Sequence, residues 1–153
     1  MRLLRIVPRG FPLALLLPLA ACSSDPLSPA VNGQYSLVRL NDAALPYDHG
    51  GLGCCVYLSG SITLDNGTYI ISVTAQNRNT LLVFTESEWG TYTQDGASLR
   101  FTPVGHSANG YFGLSTGTVS EDSVGLSFGG EGPGSADQFH AVFARSPASL
   151  VAP

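Results

Sequence analysis

From Gly33 onward, apolar and polar residues alternate in short runs bounded by turn residues. A period of two rather than 3.6 predicts β-strands. The clearest run is Leu58-Ser59-Gly60-Ser61-Ile62-Thr63-Leu64, which places Leu58, Ile62 and Leu64 on one face and Ser59, Ser61 and Thr63 on the other. Asp65-Asn66-Gly67 follows, and Asn-Gly accepts the positive φ of a tight hairpin turn. The returning strand, Thr68 to Gln76, turns Tyr69, Ile71 and Val73 one way. Asn66-Gly67-Thr68 also spells a glycosylation acceptor, but here it reads as a turn. Further strands are expected over Leu81 to Glu86 and Trp89 to Gln94, the latter turning at Asp95-Gly96 into Ser98 to Thr102 as a second hairpin. Gly110 to Val119 reads as a Gly-interrupted strand with room for a bulge. After a turn at Glu121-Asp122, Val124, Leu126 and Phe128 alternate with Gly125 and Ser127. In the last strand Phe139, Ala141 and Phe143 share a face.

With Gly33 to Leu40 at the front, the pattern predicts about eight or nine strands and no helical period of useful length after Cys22. Strands in chain order joined by tight turns imply an all-β, antiparallel up-and-down meander. Such a meander removes its edges most simply by closing into a small barrel of about eight strands. An eight-stranded barrel has an interior just filled by side chains, or wide enough for one small ligand. A two-sheet sandwich is the alternative.

The first thirty residues follow a different pattern. Arg2, Arg5 and Arg9 precede the apolar run Phe11 to Leu19, which is interrupted by Pro12 and Pro18. Positive charge, a short apolar stretch and small residues are the layout of a secretory signal, and the stretch is too short to span a bilayer. Leu19-Ala20-Ala21-Cys22 resembles the lipobox of bacterial lipoprotein precursors, in which cleavage occurs before the cysteine and its thiol receives diacylglycerol. The resemblance implies that Cys22 is lipidated and becomes the first residue of a membrane-anchored chain, since several acyl tails attach a protein durably. By the sorting convention of that family, Ser23 at the next position points to the outer membrane of the cell envelope. The expected division is a signal peptide over 1–21, a lipidated cysteine and extended tether over 22–31, a barrel over 32–146 and a disordered tail over 147–153.

Composition narrows the functional classes. At 44% hydrophobic and 12% charged, the bulk of the chain is not disordered. All seven basic residues are Arg. Without the leader, four Arg face eleven acids, a formal charge of −7. An acidic body without a basic patch argues against nucleic-acid binding, whose affinity comes largely from phosphate contacts.

Gly33-Gln34-Tyr35-Ser36-Leu37, Leu45-Pro46, Asp65-Asn66-Gly67-Thr68-Tyr69 and Trp89-Gly90-Thr91-Tyr92 resemble small bacterial lipoproteins of lipocalin-like form. That resemblance covers most of the mature chain, implies a barrel and carries over no catalytic residue. By analogy of fold, Trp89, Phe101 and Phe112 are candidates to line a mouth that takes a small apolar ligand. The alternative is a filled barrel whose loops contact another envelope component. No enzymatic activity and no cofactor are expected.

Cys54-Cys55 is the most unusual local feature. Adjacent cysteines in an oxidising envelope can form a vicinal disulfide, bond to another chain or remain separate thiols. With His49 they could make a soft-metal clip, but structural zinc sites use four ligands and a Cys-x₂₋₄-Cys spacing that is missing here. His106 is expected in an exposed turn, and His140 on the face opposite Phe139 and Ala141. Gly113-Leu114-Ser115-Thr116-Gly117 fits the Gly-x-Ser-x-Gly pattern, but within a strand rather than at a strand-to-helix turn. Glu86 and Glu88 read as a solvated strand end that discourages edge pairing. Gly129 to Gly134 lacks the Lys and the helix of a phosphate loop.

Overall fold

The computed structural model describes residues 31–48, 54–108, 112–129 and 138–146. The strands are β1 (Gly33–Leu40), β2 (Ala43–Ala44), β3 (Tyr47–Asp48), β4 (Cys55–Asp65), β5 (Thr68–Asn77), β6 (Val83–Asp95), β7 (Ser98–His106), β8 (Thr116–Val119), β9 (Ser123–Gly129) and β10 (Gln138–Arg145). From β4 to β10 each strand pairs antiparallel with the next, β10 pairs with β1, and β1 pairs with β4. Eight strands therefore close on themselves as an up-and-down, lipocalin-like barrel, which excludes the two-sheet sandwich. β2 and β3 are two-residue additions to β1 and β4.

Alternation puts one face of each strand inside. Tyr69, Ile71 and Val73 of β5, Val124, Leu126 and Phe128 of β9, and Phe139, Ala141 and Phe143 of β10 are buried, as the pattern requires. Together with Tyr35, Ile62, Leu64 and Phe101 they form one contiguous cluster that occupies the interior. Tyr69 meets Phe101 edge to face, with ring centroids 5.0 Å apart. Gly90 makes room for this pair, because a Cβ there would lie 2.9 Å from the Tyr69 ring and 2.2 Å from the Thr102 carbonyl.

Bulges break the alternation in three strands. Val38 in β1, Leu58 in β4 and Val104 in β7 each occupy an extra position where the register shifts by one. Such insertions bend and twist a strand, which helps a sheet to close. Leu58 is consequently half-buried at its bulge instead of sharing the buried face of Ile62 and Leu64. β6 is another departure from expectation: it is one continuous strand of 13 residues rather than two. Its hydroxyl-bearing Thr85, Ser87, Thr91 and Thr93 alternate with Glu86, Glu88, Gly90 and Tyr92 without a phase break. β7 follows it as far as His106, opposite Glu88, so His106 ends a strand rather than sitting in a turn.

The two ends of the barrel differ. At one, the connections are two or three residues long: Asn66-Gly67, Gly96-Ala97 and 120–122. Asn66 (φ 45°) and Gly67 (φ 84°) both adopt the left-handed conformation expected of a primed hairpin turn. Val31 is buried at this end, and Asn32 ties the chain across it. The Asn32 side-chain oxygen accepts from the backbone N–H of Asn66 (3.1 Å) and from the Tyr92 hydroxyl (2.9 Å), while its carbonyl accepts from Arg145 (3.1 Å). Arg145 also donates to the Tyr35 hydroxyl (2.8 Å), which in turn donates to the Val31 carbonyl (2.8 Å). Burial pushes the Tyr35 phenol above its ordinary value, outweighing the opposing effect of Arg145. The opposite end carries the connections 41–54, 78–82, 107–115 and 130–137, most of them long.

Candidate functional site

The loop-bearing end gathers most of the residues singled out in the sequence. Asn41 and Asp42, at φ 48° and 63°, turn the chain from β1 back into β2. The segment then runs from the edge of β1 to the edge of β4, where β3 pairs, with Leu45 and Tyr47 packed against the core. Tyr47 stacks on Tyr57 (6.3 Å), Tyr57 meets Phe139 edge to face (5.6 Å), Phe139 stacks on Phe128 (5.7 Å), and Phe128 meets Phe112 edge to face (5.7 Å). These five rings make a continuous chain from β3 and β4 through β10 and β9 to Phe112. Asn41 ties this segment to β10: its side chain donates to the Tyr47 hydroxyl (3.1 Å) and accepts from the backbone N–H of His140 (2.8 Å).

Glu88 holds the other side of this end. It is fully buried, and its carboxylate accepts three hydrogen bonds: at Oε1 from the Tyr69 hydroxyl (2.8 Å), and at Oε2 from the backbone N–H groups of Phe112 (2.8 Å) and Gly113 (2.9 Å). A buried carboxylate is tolerable only when satisfied in this way. The bonds tie Phe112 and Gly113 to β6, so that 112–115 forms a strap that buries Phe112 and Leu114. This corrects two expectations. Glu88 is not on a solvated strand end, because the unbroken phase of β6 turns it inward. Nor is Gly110 to Val119 a single strand: β8 is only Thr116–Val119, since the N–H groups of Phe112 and Gly113 bond a side chain instead of a neighbouring strand. Ser115 lies exposed on that irregular strap, its carbonyl accepting from the Phe101 N–H (2.9 Å). Glu86, one inward position along from Glu88, is half-buried opposite Val73.

At the rim, Cys54 and Cys55 are joined in a disulfide, with Cα atoms 3.7 Å apart. The sulfurs bond to each other, so neither is a thiolate ligand for the metal clip, and His49 lies outside the described residues. Among the described residues, no group of three or more His, Cys, Asp or Glu could hold a metal ion. The Cys54 carbonyl accepts from the Arg78 N–H (3.0 Å), and Arg78 pairs with Asp48, tying the rim to the β5–β6 turn.

The proposed ligand-lining residues do not form one site. Phe101 and Phe112 are buried, but in separate aromatic groups: Phe101 packs on Tyr69 and Tyr92, Phe112 on Phe128. Trp89 is 42% exposed on the outer wall, because it alternates with the inward Glu88 and Gly90. Its indole lies over Gly105, where a Cβ would come within 2.7 Å of the ring. Cys22, with the rest of the signal and tether up to Ala30, and the tail over 147–153 lie outside the described residues, as does all but Gly129 of the glycine-rich loop.

Sequence reasoning missed the Glu88 strap and the exposed tip of the β5–β6 turn. At that tip Leu81, Leu82 and Val83 are 67%, 68% and 57% exposed. Leu81 adopts φ 60°, a left-handed conformation uncommon for a residue with a side chain. The turn is nonetheless well bonded: the Asn77 side chain accepts from the N–H groups of Asn79 (2.9 Å) and Thr80 (3.0 Å), and the Asn77 carbonyl from that of Leu81 (2.8 Å). The consecutive aliphatics Leu81-Leu82-Val83 are the available signal, although the strand expected over Leu81 to Glu86 absorbs them. The chain matches no known protein-family model and no curated protein.

Proposed function

We propose that this chain is a lipid-anchored envelope protein whose filled, non-catalytic barrel is a rigid support, and whose loop-bearing end contacts another envelope component. The observation that carries the reading is the combination of an interior occupied by one apolar cluster with three consecutive exposed aliphatics outside it. Contiguous exposed apolar side chains of this kind mark interaction sites. Position supports it as well. The chain enters β1 at the end with short connections, next to buried Val31, so an anchor at Cys22 would hold that end towards the membrane. A tether of about ten residues reaches roughly 30 Å when extended. The leucine tip, at the opposite end, would then face away from the bilayer and be available to a partner.

The test combines the two halves of the proposal. Radioactive palmitate should enter the wild-type protein and not Cys22→Ala. A photo-crosslinker at position 82 should give a discrete envelope adduct, while one at the outward position 93, near the other end, should give none. Labelling of Cys22→Ala, or equal adducts at both positions, would contradict the proposal.

A further inference from the structure

The outer wall formed by β7, β8, β9 and β10 carries a groove of about 410 Å³, well away from the leucine tip. The strand register builds it. Arg100 lies opposite Thr116, Thr116 opposite Ser127, and Ser127 opposite His140, so one row crosses four strands. The neighbouring row runs through Ser98, Thr118 and Gly125. These residues face outward, since Leu99, Val119, Val124, Leu126, Phe139 and Ala141, which alternate with them, are buried. Gly125 contributes no side chain at the end of its row, where a Cβ would come within 3.0 Å of Thr118 Oγ1. That gap, beside the Thr118 hydroxyl, gives the wall its depth.

The lining contains four hydroxyl side chains, one guanidinium and one imidazole, with no Asp, Glu, Phe, Tyr or Trp. Among the described residues no carboxylate reaches Arg100, although the body of the chain is strongly acidic. His140 Nδ1 lies 3.3 Å from Ser127 Oγ, so the row is already hydrogen-bonded internally at that end. Each feature restricts the occupant. A planar aromatic or nucleobase ligand would find no Phe, Tyr or Trp face, only the Arg100 guanidinium and an imidazole already engaged with Ser127. A metal ion would find a cation and no carboxylate. The guanidinium fork matches a carboxylate held by two parallel N–H bonds. Hydroxyls, which both donate and accept, match other hydroxyls. The row of Arg100, Thr116, Ser127 and His140 spans three inter-strand spacings, about 14 Å, and the groove volume falls in the range of roughly 300–1,000 Å³ usual for small-molecule sites.

We propose that this groove binds an acidic saccharide, with a sugar carboxylate on Arg100 and the sugar hydroxyls along Thr116, Thr118 and Ser127. The site is independent of the lipid anchor and of the leucine tip. Calorimetry on the full-length protein in detergent tests it with three probes: β-1,4-linked diglucuronate, cellobiose as its uncharged counterpart, and inorganic phosphate. Diglucuronate should bind saturably at one site, with cellobiose and phosphate each weaker by about tenfold or more, the factor expected for losing a charge-assisted bond or the hydroxyl contacts. Arg100→Gln should reduce diglucuronate binding to the level of cellobiose, and Gly125→Val should fill the groove and weaken both sugars. Arg100 is an exposed strand residue, so Arg100→Gln keeps the test valid should Gly125→Val lower the melting temperature. No saturable diglucuronate binding, equal binding of cellobiose, phosphate as tight as the sugar acid, or unchanged binding by Arg100→Gln would each overturn the proposal.

Discussion

The two ends of the barrel close the same cylinder by different chemistry. At the end where the chain enters β1, two- and three-residue turns leave little backbone to satisfy, and Asn32, Tyr35, Tyr92 and Arg145 knit what remains into a network of neighbouring polar groups. At the other end, long connections must be gathered over the core. That is done by a ladder of aromatic rings, a disulfide at the rim and a buried carboxylate reaching residues 24 and 25 positions along the chain. Closure through local turns depends on the conformational preference of one or two residues. Closure through loops depends on tertiary partners, so it is more costly to break at a single site.

The comparison predicts a graded set of effects. Glu88→Ala should be the most damaging, because it leaves the buried N–H groups of Phe112 and Gly113 and the Tyr69 hydroxyl without an acceptor. A loss of about 3 kcal/mol or more is expected in urea unfolding. Hydrogen exchange should accelerate at Phe112 and Gly113 while the Asn32–Arg145 end keeps its protection; uniform loss at both ends would mean that they are not separately closed. At the short-turn end, Gly67→Val forces a β-branched residue to positive φ, at an expected cost of about 1–2 kcal/mol. An unchanged melting temperature would remove the Asn-Gly turn from the account. Leu81→Gly should have the opposite sign, raising stability by about 1 kcal/mol through relief of a left-handed aliphatic residue, while the photo-crosslinked adduct at position 82 weakens.

The smallest effect concerns alkaline pH. The folded state holds the Tyr35 proton more tightly than the unfolded chain, whose phenols ionise near about pH 10. The unfolded state therefore binds fewer protons than the folded state above that value, and stability should fall as pH rises beyond it. Tyr35→Phe, though less stable overall for lack of two hydrogen bonds, should show a shallower fall over the same range. Parallel curves for the two proteins would assign the alkaline loss to other groups.

The features legible in the sequence were those decided within a few residues. Asn66-Gly67 dictates its turn by backbone chemistry alone, and the faces of β5, β9 and β10 follow from strict alternation. What was misread depended on phase carried over longer distances. Leu58 is a bulge residue, and an inserted residue shifts every side chain beyond it to the other face. Trp89 was grouped with interior aromatics because β6 was split before it. Continuous phase from Thr85 to Thr93 puts Trp89 outside and Glu88 inside. The Glu88 strap could not be inferred from spacing, since its partners are two backbone amides more than twenty residues away. The outer groove was equally hidden, because Arg100, Thr116, Ser127 and His140 share a row only through the pairing of four strands.

A filled interior is the claim on which the functional account turns, and titration with a fluorescent long-chain fatty acid, followed by methyl resonances of Leu64, Ile71, Val124 and Leu126, tests it most directly. The account predicts weak, non-saturating fluorescence and methyl shifts that stay in place. Saturable one-to-one binding with those four residues displaced would show an interior that opens to a ligand, and would contradict it.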